Sequence, residues 1–474
     1  MQFRVTAASF AEIPCIARTP FRFGKVTVHG APLLHTRVRI ESVSGLAADG
    51  ASSDLLVPRW FRKDIDRTPA DDQAALRLHA MDAARACLAA ARPHTAFELS
   101  RMLAIDIARD DDGPEAGALE RGFGAALLER ALLDAVCRLA RRSFWSALHT
   151  DLFGVRLGQI DARLDGVNVA SLLPDQPLGS ILLRHTVGML DALRENEAMD
   201  ALDDGEPRSL EATLRAHRVR WLKIKVGQGH DADRQRLLAI AQLLSDLDLD
   251  CGITIDGNEQ FDTLDDVADL LDATQQDPVG KRMLRRLAHI EQPLPRAATF
   301  DGTKNRGIDR VRAYAPLAID EADGMSKAYP QALALGWRGC SIKNCKGVFR
   351  GLANAARARI HGDGAFVCGE DLTNLPLLAL QQDLATMTAL GIAHVERNGH
   401  HYFRGLDHLP QDVSAAAVRA HADLYALRRD GSAALRIEDG ALHCGSLLGP
   451  GYGCDPEAFA ALRDGLSWTP VDAS

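Results

Sequence analysis

The chain has 474 residues, too many for one ordinary compact domain and enough for a (β/α) barrel of roughly 250 residues with a second domain beside it. Its 46% apolar and 25% charged residues exclude a disordered chain, and a net charge of −9 argues against the basic face of a nucleic-acid binder while leaving anionic small molecules open. No apolar run of about 18 residues marks a membrane span, and the first twenty residues lack the basic-then-apolar pattern of a signal peptide, so a cytoplasmic protein without a membrane partner is expected.

Residues 2–10 and 24–42 are rich in Val, Ile, Leu and Thr and read as strands, with Gly30-Ala31-Pro32 marking a turn between two short ones. Helical periodicity follows over about 70–91, 97–107 and 117–142, with the charged segment 109–116 as a loop. Together these form a small α+β unit. From about residue 180 the rhythm changes to short apolar runs alternating with amphipathic helices such as 231–247 and 349–362. The runs are 181–189, 219–227, 251–258, 287–293, 316–322, 339–345, 365–371 and 392–398. Eight strand–helix units imply a closed parallel barrel with its site at the C-terminal strand ends. Residues 263–286 are long for one helix and suggest an insertion, and a last helix is expected over 413–428. The expected division is an α+β domain over 1–150, a barrel over 151–410 and a C-terminal segment over 411–474.

The chemistry sits at the strand ends. In order they offer Lys223 and Lys225, then Asp256 with Asn258, then Glu291, then Asp320 and Glu321, then Lys343. Alternation along a strand points Lys223 and Lys225 the same way, into the barrel, where charge is costly unless paired or metal-bound. Carboxylates from three successive strands are the oxygen ligands a hard divalent cation takes. A single acidic residue after a strand is usually a helix cap or a loop charge. The order over five consecutive strands is what that reading does not explain. The nine cysteines are scattered without C-x-x-C spacing, which argues against disulfides and structural zinc; Cys340, Cys345 and Cys368 read as small core residues.

These words resemble the enolase superfamily, in its mandelate racemase/muconate lactonizing enzyme family. WLKIKVG is similar to that family's second-strand K-x-K segment, ITIDGNEQF, IEQPLP and AIDEADG to its three metal-ligand segments, and SIKNCKGV, with Lys346 three residues after Lys343, to the sixth-strand lysine segment of the muconate-lactonizing branch. TPFRFG (19–24) and GSLLGPGYGCDPEAF near the C-terminus also resemble family segments. The resemblance covers nearly the whole chain. It implies an α/β fold, a modified TIM barrel with an N-terminal α+β capping domain completed by the C-terminal segment. It implies one Mg²⁺ on Asp256, Glu291 and Asp320, with Glu321 as the alternative third ligand. It makes Lys225 a base on one face of a carboxylate substrate, Lys343 the acid or base on the other, and Lys223 a like-charge helper that lowers the pKa of Lys225.

The implied reaction removes the α-proton of a small-molecule carboxylate to give a metal-stabilised enediolate, as a racemase, epimerase or cycloisomerase. An acid-sugar-type dehydratase, using the same lysine pair, is the alternative, and a non-catalytic barrel that binds a partner is the alternative of another class. A symmetric homo-oligomer is expected. Glu370, Asp371 and Asn374 stand at a strand end and are candidates to touch substrate, against capping and loop bonding. His400 and His401 are candidates from a loop, whereas His394 reads as a packed core histidine. Trp60 and Arg62, in WFRKD, are candidates from the capping domain.

Overall fold

The structure is a computed structural model that describes residues 1–23, 26–64, 66–109, 117–198 and 204–472. Most of the loop expected at 109–116, and Gly24 of the TPFRFG segment, lie outside the described residues. The chain begins with an antiparallel sheet of β1 (Phe3–Phe23), β2 (Val26–Ser42) and β3 (Ala47–Leu55), covered by α1 (Pro69–Ala89), α2 (Ala96–Arg109) and α3 (Ala118–Ala140), with a short α4 (Phe144–His149). Eight strands then form the barrel: β4 (Ser180–Val187), β5 (Trp221–Lys225), β6 (Gly252–Asp256), β7 (Leu287–Glu291), β8 (Leu317–Ile319), β9 (Gly339–Ile342), β10 (Phe366–Gly369) and β11 (His394–Arg397). Each pairs in parallel with the next, and β11 pairs in parallel with β4, so the sheet is closed. The intervening helices are α5 (Leu210–His217), α6 (His230–Asp246), α7 (Leu264–Gln275), α8 (Pro278–Leu284), α9 (Ile308–Arg312), α10 (Ala328–Ala334), α11 (Val348–His361) and α12 (Leu378–Leu390). After the barrel come α13 (Gly399–Tyr402), α14 (Gln411–Ala420), β12 (Tyr425–Leu427), β13 (Ala433–Leu435), β14 (Ala441–His443), α15 (Pro456–Gly465) and β15 (Thr469–Pro470). The chain's end returns to its beginning: β14 lies antiparallel on β4 and β15 pairs with β1.

All eight expected strand segments contain a barrel strand, and the architecture is the modified barrel with an N-terminal cap. Two local expectations are corrected and one is made specific. Gly30-Ala31-Pro32 is not a turn; Gly30 pairs with Ile16, Ala31 with Cys15 and Pro32 with Pro14 inside one long hairpin. The alternating burial of β2 outweighs the local turn signal. Residues 263–286 hold two helices, parted at Asp277, whose side chain caps α8 just before Pro278. The helix expected over 413–428 stops at Ala420, because Tyr425–Leu427 pairs with Ala433–Leu435 instead of continuing it.

Strand β3 was not expected, since Ala, Gly, Ser and Asp are poor strand formers. Its small residues have a packing cause. Residues 50–55 are buried, and a Cβ on Gly50 would stand 2.2 Å from the backbone nitrogen of Ala135 in α3. Helix α3 is equally close to α1, where a Cβ on Gly124 would stand 2.0 Å from the carbonyl oxygen of His79. Gly124→Ala should therefore force the two helices apart and cost about 1–3 kcal/mol, read as a lower thermal midpoint. An unchanged midpoint would mean that the contact yields freely. Among the described residues, no helix is long and apolar enough to cross a membrane.

Candidate active site

The barrel register sets the site. Lys225 pairs with Asp256 and Asp256 with Glu291 in the ladder, so these residues stand at one level at the ends of β5, β6 and β7. Asp320 directly follows β8 and Lys343 directly follows β9. Lys225 Nζ donates to Asp256 Oδ2 at 2.6 Å. Lys343 Nζ donates to Asp320 Oδ2 at 2.5 Å, while Asp320 Oδ1 accepts from Ser341 Oγ at 2.5 Å and from Lys346 Nζ at 3.2 Å. Alternation puts Lys223 one layer deeper. Its Nζ lies 3.0 Å from Asp256, 2.5 Å from Glu291, 2.7 Å from Glu370 and 2.9 Å from Glu396, all buried. Glu370 also pairs with Arg184 of β4.

The loops beyond the strands are held in costly backbone conformations. Asn258, Glu259 and Gln292 have φ of +41°, +67° and +32°. Non-glycine residues in that region cost of order 1–3 kcal/mol each and persist where the surroundings fix them. Here the surroundings do so. Gln292 Oε1 accepts from the backbone nitrogens of Asp320 (2.8 Å) and Ala322 (3.1 Å), which aims the Asp320-Glu321 pair. Arg296 pairs with Glu259 and donates to the carbonyls of Trp60 and Phe61, which ties the cap to the barrel.

Burial works against every charge in this cluster, and the neighbours decide the outcome. Against burial, Lys223 and Lys225 hold the Asp256 carboxyl below its ordinary range, and Lys343 and Lys346 hold Asp320 far below it. Burial, then the like charges of Asp256 and Glu370, push Glu291 well above the carboxylate range despite Lys223. Burial, then Asp320 and Glu259, push Glu321 up to about 7. Against burial, Asp256 and the other carboxylates hold Lys223 well above the usual lysine value, and Asp320 does the same for Lys343.

A cleft of about 480 Å³ opens over this cluster between barrel and cap. Lys225, Lys343, Asn258, Asp371, Thr186 and Glu396 line it from the barrel, and Phe21, Val57 and Trp60 from the cap. Lys343 Nζ sits 4.7 Å above the Trp60 ring, and Phe21 stacks on Tyr402 at 4.7 Å.

The donor set suits a hard divalent cation. Glu291 Oε1, Glu321 Oε2 and Asn258 Oδ1 are buried and accept no hydrogen bond, each a desolvated acceptor costing about 1–3 kcal/mol, while Glu291 Oε2 meets the Lys223 ammonium. Oxygen ligands in excess of donors are what Mg²⁺ or Ca²⁺ satisfies. Asp320 weighs on the charge of both Asp256 and Glu291, and Asp256 weighs on that of Glu321, so both acidic residues after β8 stand close to the cluster. His289, Cys368 and Glu370 also bring three potential ligand atoms within 4.8 Å of one another. That group is a poor metal site. Arg184 and Lys223 already occupy Glu370, and burial pushes the Cys368 thiol well above its ordinary value.

No family model matches the chain, and no curated protein does. Solved structures do match. An enolase from Bradyrhizobium complexed with magnesium and mandelic acid is 16% identical, with a TM-score of 0.60 over 98% of this chain and 99% of that one. A dipeptide epimerase from Cytophaga hutchinsonii complexed with Mg and the dipeptide D-Ala-L-Val is 14% identical, with a TM-score of 0.57 over 99% of this chain and 100% of that one. A member of the enolase superfamily from Enterococcus faecalis is 13% identical, with a TM-score of 0.58 over the full length of both chains. The chain shares the fold of these structures.

On this fold the structure brings together Lys223, Lys225, Asp256, Asn258, Glu291, Asp320, Glu321 and Lys343. The expected part for Lys223 changes. Four carboxylates enclose its charge, and Asp256 stands between it and Lys225, so as arranged it is the hub of an ion-pair cluster rather than a bare like-charge neighbour. Glu321 accepts from Asn258 Nδ2 at 3.2 Å and faces a separate cavity of about 700 Å³ with Arg296 and Phe300. Of the further candidates, Trp60 and Asp371 line the cleft, whereas Glu370 is buried beneath it and Asn374 lines a small neighbouring cavity. Arg62 stands near Asp64 and Glu120 on the cap. His400 and His401 do not reach the cleft; they pack with other histidines behind β4. His394 stacks on Trp221, as a packed histidine should.

Sequence reasoning missed Thr186, Glu396 and Tyr402. Thr186 Oγ1 donates to Glu396 Oε1 at 2.7 Å, and Tyr402 Oη donates to Asp191 Oδ2 at 2.8 Å. A signal for Glu396 was present, since it is the acidic residue ending the eighth strand segment.

Proposed function

We propose that the protein is a Mg²⁺-dependent enzyme that removes the α-proton of a small carboxylate and returns it as a racemase, epimerase or cycloisomerase. One observation carries the reading: Lys225 and Lys343 line the same cleft from β5 and β9, which stand four strands apart in an eight-strand closed barrel and so face each other across its mouth. An α-carbon held between them has one Nζ on each face. Lys225 takes the proton at its Nζ on one side, and Lys343 delivers one from its Nζ on the other. Asp256, Glu291 and Asp320 would hold Mg²⁺, which would supply positive charge against the negative charge that builds on the substrate carboxylate. Phe21, Trp60 and Tyr402 wall the cleft with apolar surface and restrict water. The ligands named for the Bradyrhizobium and Cytophaga structures, magnesium with mandelic acid and Mg with a dipeptide, support both the metal and the substrate class. The Lys343–Lys346 spacing favours the muconate-lactonizing arrangement of lysines, which also suits an isomerase.

The test is incubation with Mg²⁺ in D₂O and a mixed library of carboxylic acids, followed by mass spectrometry. Deuterium uptake at the α-carbon without mass loss is expected. Loss of one water would make the protein a dehydratase. No exchange together with no Mg²⁺ binding would leave a non-catalytic barrel. Asp256→Asn should weaken Mg²⁺ by at least about tenfold, the scale already seen for supporting groups of metal sites. Unchanged affinity by calorimetry would remove Asp256 from the ligand set.

A further inference from the structure

Behind the barrel wall lies a group of histidines that the proposed reaction does not use. His185 follows Arg184 and precedes Thr186 on β4. Both neighbours point into the barrel, so His185 points out of it. It meets His400 and His401 of α13, with ring centroids 5.2 Å away in each case. His217, the last residue of α5, stands 6.4 Å from His400. Four imidazoles from three separate elements thus converge on one place.

We propose that His185, His400 and His401, with His217 on the open side, form a binding site for a transition-metal ion of the Zn²⁺ type, separate from the acidic cluster in the barrel mouth. Its first two ligands are already in place. His185 Nδ1 and His400 Nε2 share a hydrogen bond at 3.1 Å, and an entering ion would displace the proton between them. Two nitrogens bound tetrahedrally at about 2.0–2.1 Å from zinc are about 3.3 Å apart, so a small separation of the rings admits the ion. Asp191 stands 3.6 Å from His401 Nε2 and is itself fixed by Tyr402 Oη and the Gly188 backbone nitrogen. A carboxylate behind a ligating histidine is the usual device that orients the ring. His401 and His217 come in by side-chain rotation, since among the described residues their nitrogens are not gathered as closely as those of His185 and His400.

The surroundings favour the ligand form of His185 and His400. Burial, then the neighbouring His401, holds His185 down to about 3, and burial, then His185, holds His400 well below its ordinary value. Neutral imidazole is what a metal binds. His400 Nδ1 is buried without a hydrogen bond, and the ring also borders a small cavity. His217 is only half-buried. Imidazole ligands select Zn²⁺, Co²⁺ or Ni²⁺ over Mg²⁺, whereas the barrel cluster offers oxygens alone.

The test is a titration of the full chain with Co²⁺ in the presence of saturating Mg²⁺, read by visible absorption and repeated with Zn²⁺ as competitor. One Co²⁺ with the intense bands of a low-coordinate nitrogen site is expected. Those bands should persist in Asp256→Asn and lose at least about tenfold in affinity in His400→Ala and His185→Asn. Should either buried variant fail to fold by circular dichroism, His217→Ala, at a half-buried helix end, takes its place with the same expectation. Thermal melting gives a second readout, as Zn²⁺ should raise the midpoint of the wild type and of Asp256→Asn but not of the histidine variants. No Co²⁺ bound beyond Mg²⁺, or a signal that follows Asp256 rather than the histidines, would overturn the proposal and leave a neutral packing cluster.

Discussion

Lys343→Ala should lower turnover by about 10²–10⁴-fold, the usual contribution of a positioned acid or base, while Mg²⁺ binds at least as tightly as before. The second half follows from what Lys343 holds. Its Nζ donates to Asp320 Oδ2, so its removal frees a lone pair of a proposed ligand. The loss should also be one-sided. If Lys225 serves the opposite face, the variant will still exchange the α-proton of one stereoisomer with D₂O but no longer interconvert the two. The reciprocal variant, Lys225→Ala, should exchange only the other stereoisomer. Full turnover in Lys343→Ala would reduce that lysine to a cation that positions Asp320 beneath Trp60. Loss of exchange from both stereoisomers in both variants would mean that the lysines act as one unit rather than as two faces.

The barrel and the order of its charged strand ends were legible because each lies within a few residues of sequence. K-x-K, D, E, D-E and K follow the apolar runs directly, and the parallel ladder keeps that order around the mouth. Features set by distant contacts were not legible. Glu370 and Asp371 are adjacent, yet one is buried among Arg184 and Lys223 and the other lines the cleft, because a strand end alternates its sides. His185 and His400 are 215 residues apart and meet only because β11 closes on β4. Strand β3 was hidden because its residues answer to helix α3 rather than to strand propensity. The ring of carboxylates around Lys223 was not legible because two of the four, Glu370 and Glu396, come from the last two strands, whose ends match no recognised motif.

That arrangement makes Lys223→Met the most damaging substitution expected for the folded state. The methionine fills much the same space, but Asp256, Glu291, Glu370 and Glu396 lose the ammonium at their centre, and only Glu370 keeps another close cation, from Arg184, besides the Lys225 contact of Asp256. Removing one partner of a buried ion pair costs about 3–5 kcal/mol, because the other is left charged and dry. The loss should depend on pH with a definite sign. Burial and mutual repulsion already push Glu291 upward, and without Lys223 the remaining carboxyls shift the same way, so the folded variant binds more protons than the unfolded chain. Its stability is then greatest in acid and falls as pH rises through the raised carboxyl values. Mg²⁺ should act as lysine did. Millimolar Mg²⁺ is expected to raise the urea midpoint of Lys223→Met far more than that of the wild type, since in the variant the cation meets the same carboxylates without a competing ammonium. If Mg²⁺ leaves the variant's midpoint unchanged, the carboxylates around Lys223 are not the ones that hold the ion. If the variant is as stable as the wild type at neutral pH, the cluster is held by its backbone scaffold and the lysine is there for the chemistry alone.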